Sequence, residues 1–147
     1  MTTRPPSLHF EPDRSLLIEA DREPVVLRIS PRTMAARHWP KGHPGLMQLE
    51  RAIDDVENAI EQAGLVHADR GMLVANVTRR DLLPAGFGSS GDVSRDEVER
   101  ALSDLVASAG SPPMAGGPRL HAEAAAALLL LREVMHHLGF QSLRMAA

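Results

Sequence analysis

The stretch from Ala124 to Leu131, four alanines followed by four leucines, lies within a helix-forming segment and is apolar on every side. A helix with one apolar stripe can hide it against a single neighbour, whereas an all-round apolar helix must be covered from several directions. The segment starts at Pro118 and ends before Gly139. It is therefore expected to be the most buried element, and the rest of the chain must supply its cover. Eight apolar residues fall far short of the ~20 needed to cross a bilayer, so that cover is protein and no membrane is expected as a partner.

The cover can be read from the Pro and Gly punctuation. Short alternating runs open the chain, with Leu8 and Phe10 on one face of a first strand, Leu16 and Ile18 on one face of a second, and Val25, Leu27 and Ile29 on one face of a third. Glu11-Pro-Asp-Arg and Asp21-Arg-Glu-Pro between them have turn chemistry, which predicts an antiparallel meander. Ser30-Pro31 reads as an N-cap with proline at the first helical position, opening a short helix that stops near His38-Trp39-Pro40. Leu46, Leu49, Ile53, Val56, Ile60 and Ala63 form one stripe at helical spacing between Gly45 and Gly64. That helix carries Glu50, Asp54, Asp55, Glu57 and Glu61 against Arg51, so its outer face is acidic. Gly64 suits a left-handed C-terminal cap.

A fourth strand is expected at Met72 to Val77, and Ser94 with Glu97 forms a capping-box pair ahead of an amphipathic helix closed by Gly110. Phe140 to Met145 suits a last short strand or a docked tail. The order of elements predicts an α+β fold with an antiparallel sheet of about four strands and three main helices packed on one face. Residues 1–147 are expected to form one domain, with 1–6 a flexible N-terminus and 111–117 an internal linker.

Composition narrows the chemistry. The absence of cysteine among the 147 residues removes disulfides, Cys-ligated zinc, iron–sulfur clusters and thiol nucleophiles together. Lys41 is the single lysine, so Schiff-base chemistry is confined to that position, and the arginine excess is a codon-composition effect. A formal charge of −3 gives no basis for a nucleic-acid groove, and nucleic acid is not an expected partner. The N-terminus lacks the apolar segment and cleavage site of a secretory signal, which predicts a cytoplasmic location.

The candidate sites divide into two readings. Gly86, Gly88 and Gly91 match G-x-G-x-x-G, but Thr78 to Ala85 separates them from the preceding strand and Ser94 caps the helix after the last glycine. Arg37, His38, Lys41 and His43, with Trp39 between them, make a basic cluster that Arg79 and Arg80 could join in space. Between the 37–43 and 86–91 loops these residues would form a pocket for an anionic small molecule, a phosphate or carboxylate, in an enzyme or ligand-binding domain. Glu133 and His136 have Glu-x-x-His spacing, but the chain has a single copy of a motif that metal-binding bundles use in pairs. His121-Ala-Glu123 resembles half of a zinc-deaminase signature without its two cysteines. The sequence therefore assigns no catalytic residue, no metal and no cofactor. The favoured reading is a small cytoplasmic non-catalytic interaction, accessory or assembly subunit. It would bind itself, as a homodimer, or another protein through Leu49, Val56 and Ile60 or through Leu128 and Leu131.

Overall fold

The computed structural model describes residues 4–82, 87, 91–109 and 121–146. The chain runs β1 (Ser7–Phe10), β2 (Ser15–Ile18), β3 (Val25–Leu27), α1 (Pro31–His38), α2 (Leu46–Gln62), β4 (Arg70–Thr78), a 3-10 turn (Arg80–Leu82), β5 (Val93–Ser94), α3 (Arg95–Ala109), α4 (Ala122–Leu138) and β6 (Phe140–Ala146).

The strands form one six-stranded sheet in the order β3-β2-β1-β4-β6-β5. This corrects the expected four-stranded antiparallel sheet with three main helices: the sheet is mixed, and four helices are present among the described residues. β1 to β3 are an antiparallel meander and β5 pairs antiparallel with β6, but β4 runs parallel to both β1 and β6. The reason lies in the connections. The chain travels through α1 and α2 between β3 and β4, and through α3 and α4 before β6. Helical crossovers of that length return the chain to re-enter a sheet in parallel, where a tight turn forces it back antiparallel.

The local signals behind the helices are visible in their ends. Ser30 caps α1 reciprocally with Thr33, Oγ accepting from Thr33 N at 3.1 Å and Thr33 Oγ1 accepting from Ser30 N at 2.9 Å. Beyond α2, Gly64 adopts φ +73°. Its N–H donates to Glu61 O at 3.0 Å and the Leu65 N–H to Ile60 O at 3.3 Å, the paired bonds of a Schellman motif.

α4 packs against α1, α2, α3, β6 and the 3-10 turn, and every residue from Ala124 to Leu131 is buried. From the sheet, Leu8, Leu17, Leu27, Leu73 and Leu143 belong to the same buried core. On β2 the buried residues are Ser15 and Leu17 rather than Leu16 and Ile18, because Leu17 pairs with Leu8 and the buried Ser15 hydroxyl donates to Ile29 O at 2.7 Å. Ile18 is left 40% exposed. The linker expected at 111–117 lies outside the described residues, as do residues 1–3 of the N-terminus, and Pro6 O accepts from Val74 N at 2.9 Å. No helix among the described residues is long and apolar enough to cross a membrane.

Candidate functional site

The chain leaves β1 towards β2 and β3 on one side of the sheet, and leaves β4 towards β5 and β6 on the other. Neighbouring parallel strands whose connections diverge in this way open a crevice beyond their carboxyl ends. Here it is an open cavity of about 490 Å³. Phe10 from β1, Asn76 and Val77 from β4, Arg80 and Asp81 from the 3-10 turn, and His121, Glu123, Ala124 and Ala127 at the start of α4 line it, with Pro31 at the head of α1.

Each wall has a local cause. Asn76 uses its amide to continue the β1–β4 pairing, Oδ1 accepting from Phe10 N at 2.7 Å and Nδ2 donating to Phe10 O at 3.1 Å. Asp81 is held by a reciprocal pair, its carboxylate accepting from Thr78 N at 3.0 Å and its N–H donating to Thr78 Oγ1 at 3.1 Å. Arg80 is exposed and makes no hydrogen bond or ion pair among the described residues, so its guanidinium fork is available. His121 is the N-cap of α4 and makes no side-chain cap bond, which leaves first-turn N–H groups directed at this end of the helix. Glu123 stands exposed in the same turn.

Of the residues singled out from the sequence, Arg80 lines this crevice. Arg37 and His38 line a separate cavity of about 300 Å³ with Asp13, Arg28, Asp55 and Asn58. There Asp55 engages both side chains, Oδ2 lying 2.5 Å from His38 Nε2 and 3.5 Å from Arg37 Nη1. Lys41 and His43 are exposed on the following loop. Trp39, placed by the sequence within this basic cluster, is instead buried at 1% exposure, and its Nε1 donates to Ala122 O at 2.8 Å. Arg79 donates to Gly91 O, and the adjacent Asp92 is bound to Arg144 at 3.0 and 3.2 Å. The hydrogen bonds from Arg144 hold the Asp92 carboxyl below its usual range. Gly86 and Gly88 lie outside the described residues.

The residues expected at an interface have a different place. Leu49, Val56, Ile60, Leu128 and Leu131 are all buried in the chain's own core, since α2 and α4 cover each other and the sheet. A partner could reach them only by opening the fold. Asn76 comes from a separate segment from His121 and Glu123, and only the His121-Ala-Glu123 spacing stands out in the sequence.

The site and topology define an α+β sheet protein with an open crevice at the carboxyl edge of two parallel strands. No protein-family model matches the chain, and no curated protein matches it. Solved structures do share its fold. The chain is similar to the Ppx/GppA phosphatase of Aquifex aeolicus in its type II variant, with a TM-score of 0.69 at 6% identity over 99% of this chain and 54% of that one. It is similar to an exopolyphosphatase-like protein, with a TM-score of 0.69 at 12% identity over 98% of this chain and 56% of the other. Another structure of the Aquifex aeolicus PPX-GPPA enzyme aligns with a TM-score of 0.64 at 6% identity, over 96% and 52%. The chain thus spans about half the length of the structures it matches, and at these identities the likeness is one of fold. The expectation of a non-catalytic interaction or assembly subunit rested on absences in the sequence. It is corrected by neighbours of the same fold that are enzymes by name.

Proposed function

We propose that the chain is a domain of a phosphate-processing enzyme, and that a phosphoryl group is held in the crevice beyond β1 and β4. The observation that carries the reading is topological: the crevice lies where open sheets of this kind take their ligands, at the point where the connections diverge. The fold shared with Ppx/GppA phosphatases supports the same chemistry.

The lining suits the assignment. Arg80 offers a planar fork for two phosphate oxygens, and the N–H groups at the start of α4 offer further donors at the positive end of a helix dipole. Glu123 and His121 flank that point and are the groups that could take a proton from an attacking water or return one to a leaving oxygen. The cavity lined by Arg37 and His38 is the weaker host for an anion, because the Asp55 carboxylate already engages both side chains.

The test is titration of inorganic phosphate into the full chain, followed through backbone amide NMR shifts, with phosphate release from pyrophosphate and longer polyphosphate assayed in parallel. The Ala122, Glu123 and Ala124 amides should shift saturably, and Arg80→Ala should weaken binding tenfold or more. Amides that stay still, or an Arg80→Ala chain that binds as the parent does, would sink the assignment.

A further inference from the structure

The far end of α4 carries a second cluster, independent of the phosphate reading. The two histidines of its last turn diverge, with their ring centroids 5.3 Å apart and the planes at 83°. His136 turns to α3, Nδ1 lying 3.6 Å from Glu99 Oε1. His137 turns to α2. Its Nε2 is 3.3 Å from Glu57 Oε1 and 2.9 Å from Oε2 of Glu133, which stands one turn earlier on the same face of α4. One ligand atom from each of Glu57, Glu133 and His137 lies within 4.8 Å of the others.

Glu133 sets this cluster apart from an ordinary surface ion pair. It is 0% exposed, the one acid among the buried residues of α4. Its Oε1 accepts from Arg132 Nη1 at 3.0 Å. Oε2 and the facing Nε2 of His137 are both buried, and neither makes a hydrogen bond, even to the other. Two acceptor atoms aimed at one point in this way are placed as ligands of a shared ion. Bond lengths of ~2.0–2.2 Å at interligand angles between about 90° and tetrahedral separate two N/O ligands by about 2.8–3.6 Å, and both distances from His137 fall in that interval. The charge agrees: two carboxylates face one guanidinium and an imidazole that is neutral when it ligates.

We propose that Glu57, Glu133 and His137 bind one divalent metal ion of the zinc class, which clips α2 to α4. One imidazole and two carboxylates form a borderline-hard donor set, and the half-exposed Glu57 side leaves room for water at the remaining positions. The Glu-x-x-His pair noted in the sequence, Glu133 with His136, is thus replaced by an i,i+4 pair, and the third ligand comes from another helix.

The test is calorimetric titration of zinc chloride into the chelator-treated, desalted full chain. The expected result is one saturable site per chain and a higher melting temperature with zinc. Glu57→Gln and His137→Gln, each checked for folding by thermal melt, should each weaken the site tenfold or more, while His136→Gln leaves it unchanged. Absence of a one-to-one site would overturn the proposal, as would equal affinity in the Glu57→Gln and His137→Gln chains. Either result would leave Glu133 and His137 as an ion pair alone.

Discussion

The two ends of α4 are opposites. At its C-terminus every feature closes the helix: Gly139 N donates to Met135 O at 3.0 Å, Arg70 Nη1 donates to Leu138 O at 2.6 Å, and Arg70 N donates to Gly139 O at 3.0 Å. At its N-terminus His121 makes no cap bond, and the first turn opens into the crevice with Glu123 exposed. The same buried rod of Ala and Leu is therefore sealed at its negative end and left with spare donors at its positive end. Histidines and a candidate cation site gather where the dipole favours positive charge, and the candidate phosphate site lies where it favours negative charge. The difference teaches that burial of the middle of a helix anchors it firmly enough for one end to remain chemically unfinished.

The sharpest way to break this asymmetry is to disturb the sealed end. Gly139 sits at φ +85°, and a Cβ there would meet Ala68 O at 2.0 Å. Gly139→Ala adds left-handed backbone strain to a collision with backbone that cannot rotate away, for an expected loss of roughly 2–5 kcal/mol. Urea unfolding measures it; a loss under about 1 kcal/mol would mean that the β4–α4 junction yields readily.

Next in size is the strut beneath the open end. Trp39 is buried and donates from Nε1 to Ala122 O, tying the end of α1 to the first residue of α4. Trp39→Phe removes that donor and part of a packed ring, and should cost about 1–3 kcal/mol. Hydrogen exchange should show the loss concentrated at the first turn of α4, with amides near Leu138 staying protected. Uniform loss along the helix would show that its two ends are not independent.

How far this contrast could be read from the sequence depends on how local its causes are. α2 was legible because Gly45 and Gly64 bracket an apolar stripe within one short stretch of chain, and the burial of α4 because no face of Ala124 to Leu131 is polar. Strand direction was not legible: β4 is parallel to β1 because of the helical crossover between them, a property of the whole path. The face of β2 was ambiguous because Leu16 and Leu17 are adjacent, and only the pairing of Leu17 with Leu8 decides between them. β5 is two residues long and cannot show a period. The crevice brings Asn76 and Arg80 together with Glu123 from a distant segment, so single residues could be noticed but not their meeting. The same holds for Glu57 with Glu133 and His137, where the sequence showed the helix spacing and hid the partner helix.

The smallest expected effect concerns a helix start that is finished, as a contrast to that of α4. At the head of α3, Ser94 N donates to Glu97 Oε2 at 2.8 Å and Glu97 N donates to Ser94 Oγ at 3.2 Å. The hydrogen bond from the Ser94 backbone, followed by the one from its side chain, holds the Glu97 carboxyl below its ordinary value of 4.5. A carboxyl depressed in the folded state adds stability above its unfolded pKa, and that contribution fades as pH falls through the folded value. Glu97→Gln should therefore melt slightly below the parent at neutral pH, and the gap should close on acidification below the ordinary glutamate range. His121→Ala at the uncapped head of α4 should show no gap of this origin, because no side-chain cap bond is lost there. A Glu97→Gln gap that persisted unchanged at low pH would assign the effect to packing, and the contrast between a completed and an open helix start would then rest on the crevice alone.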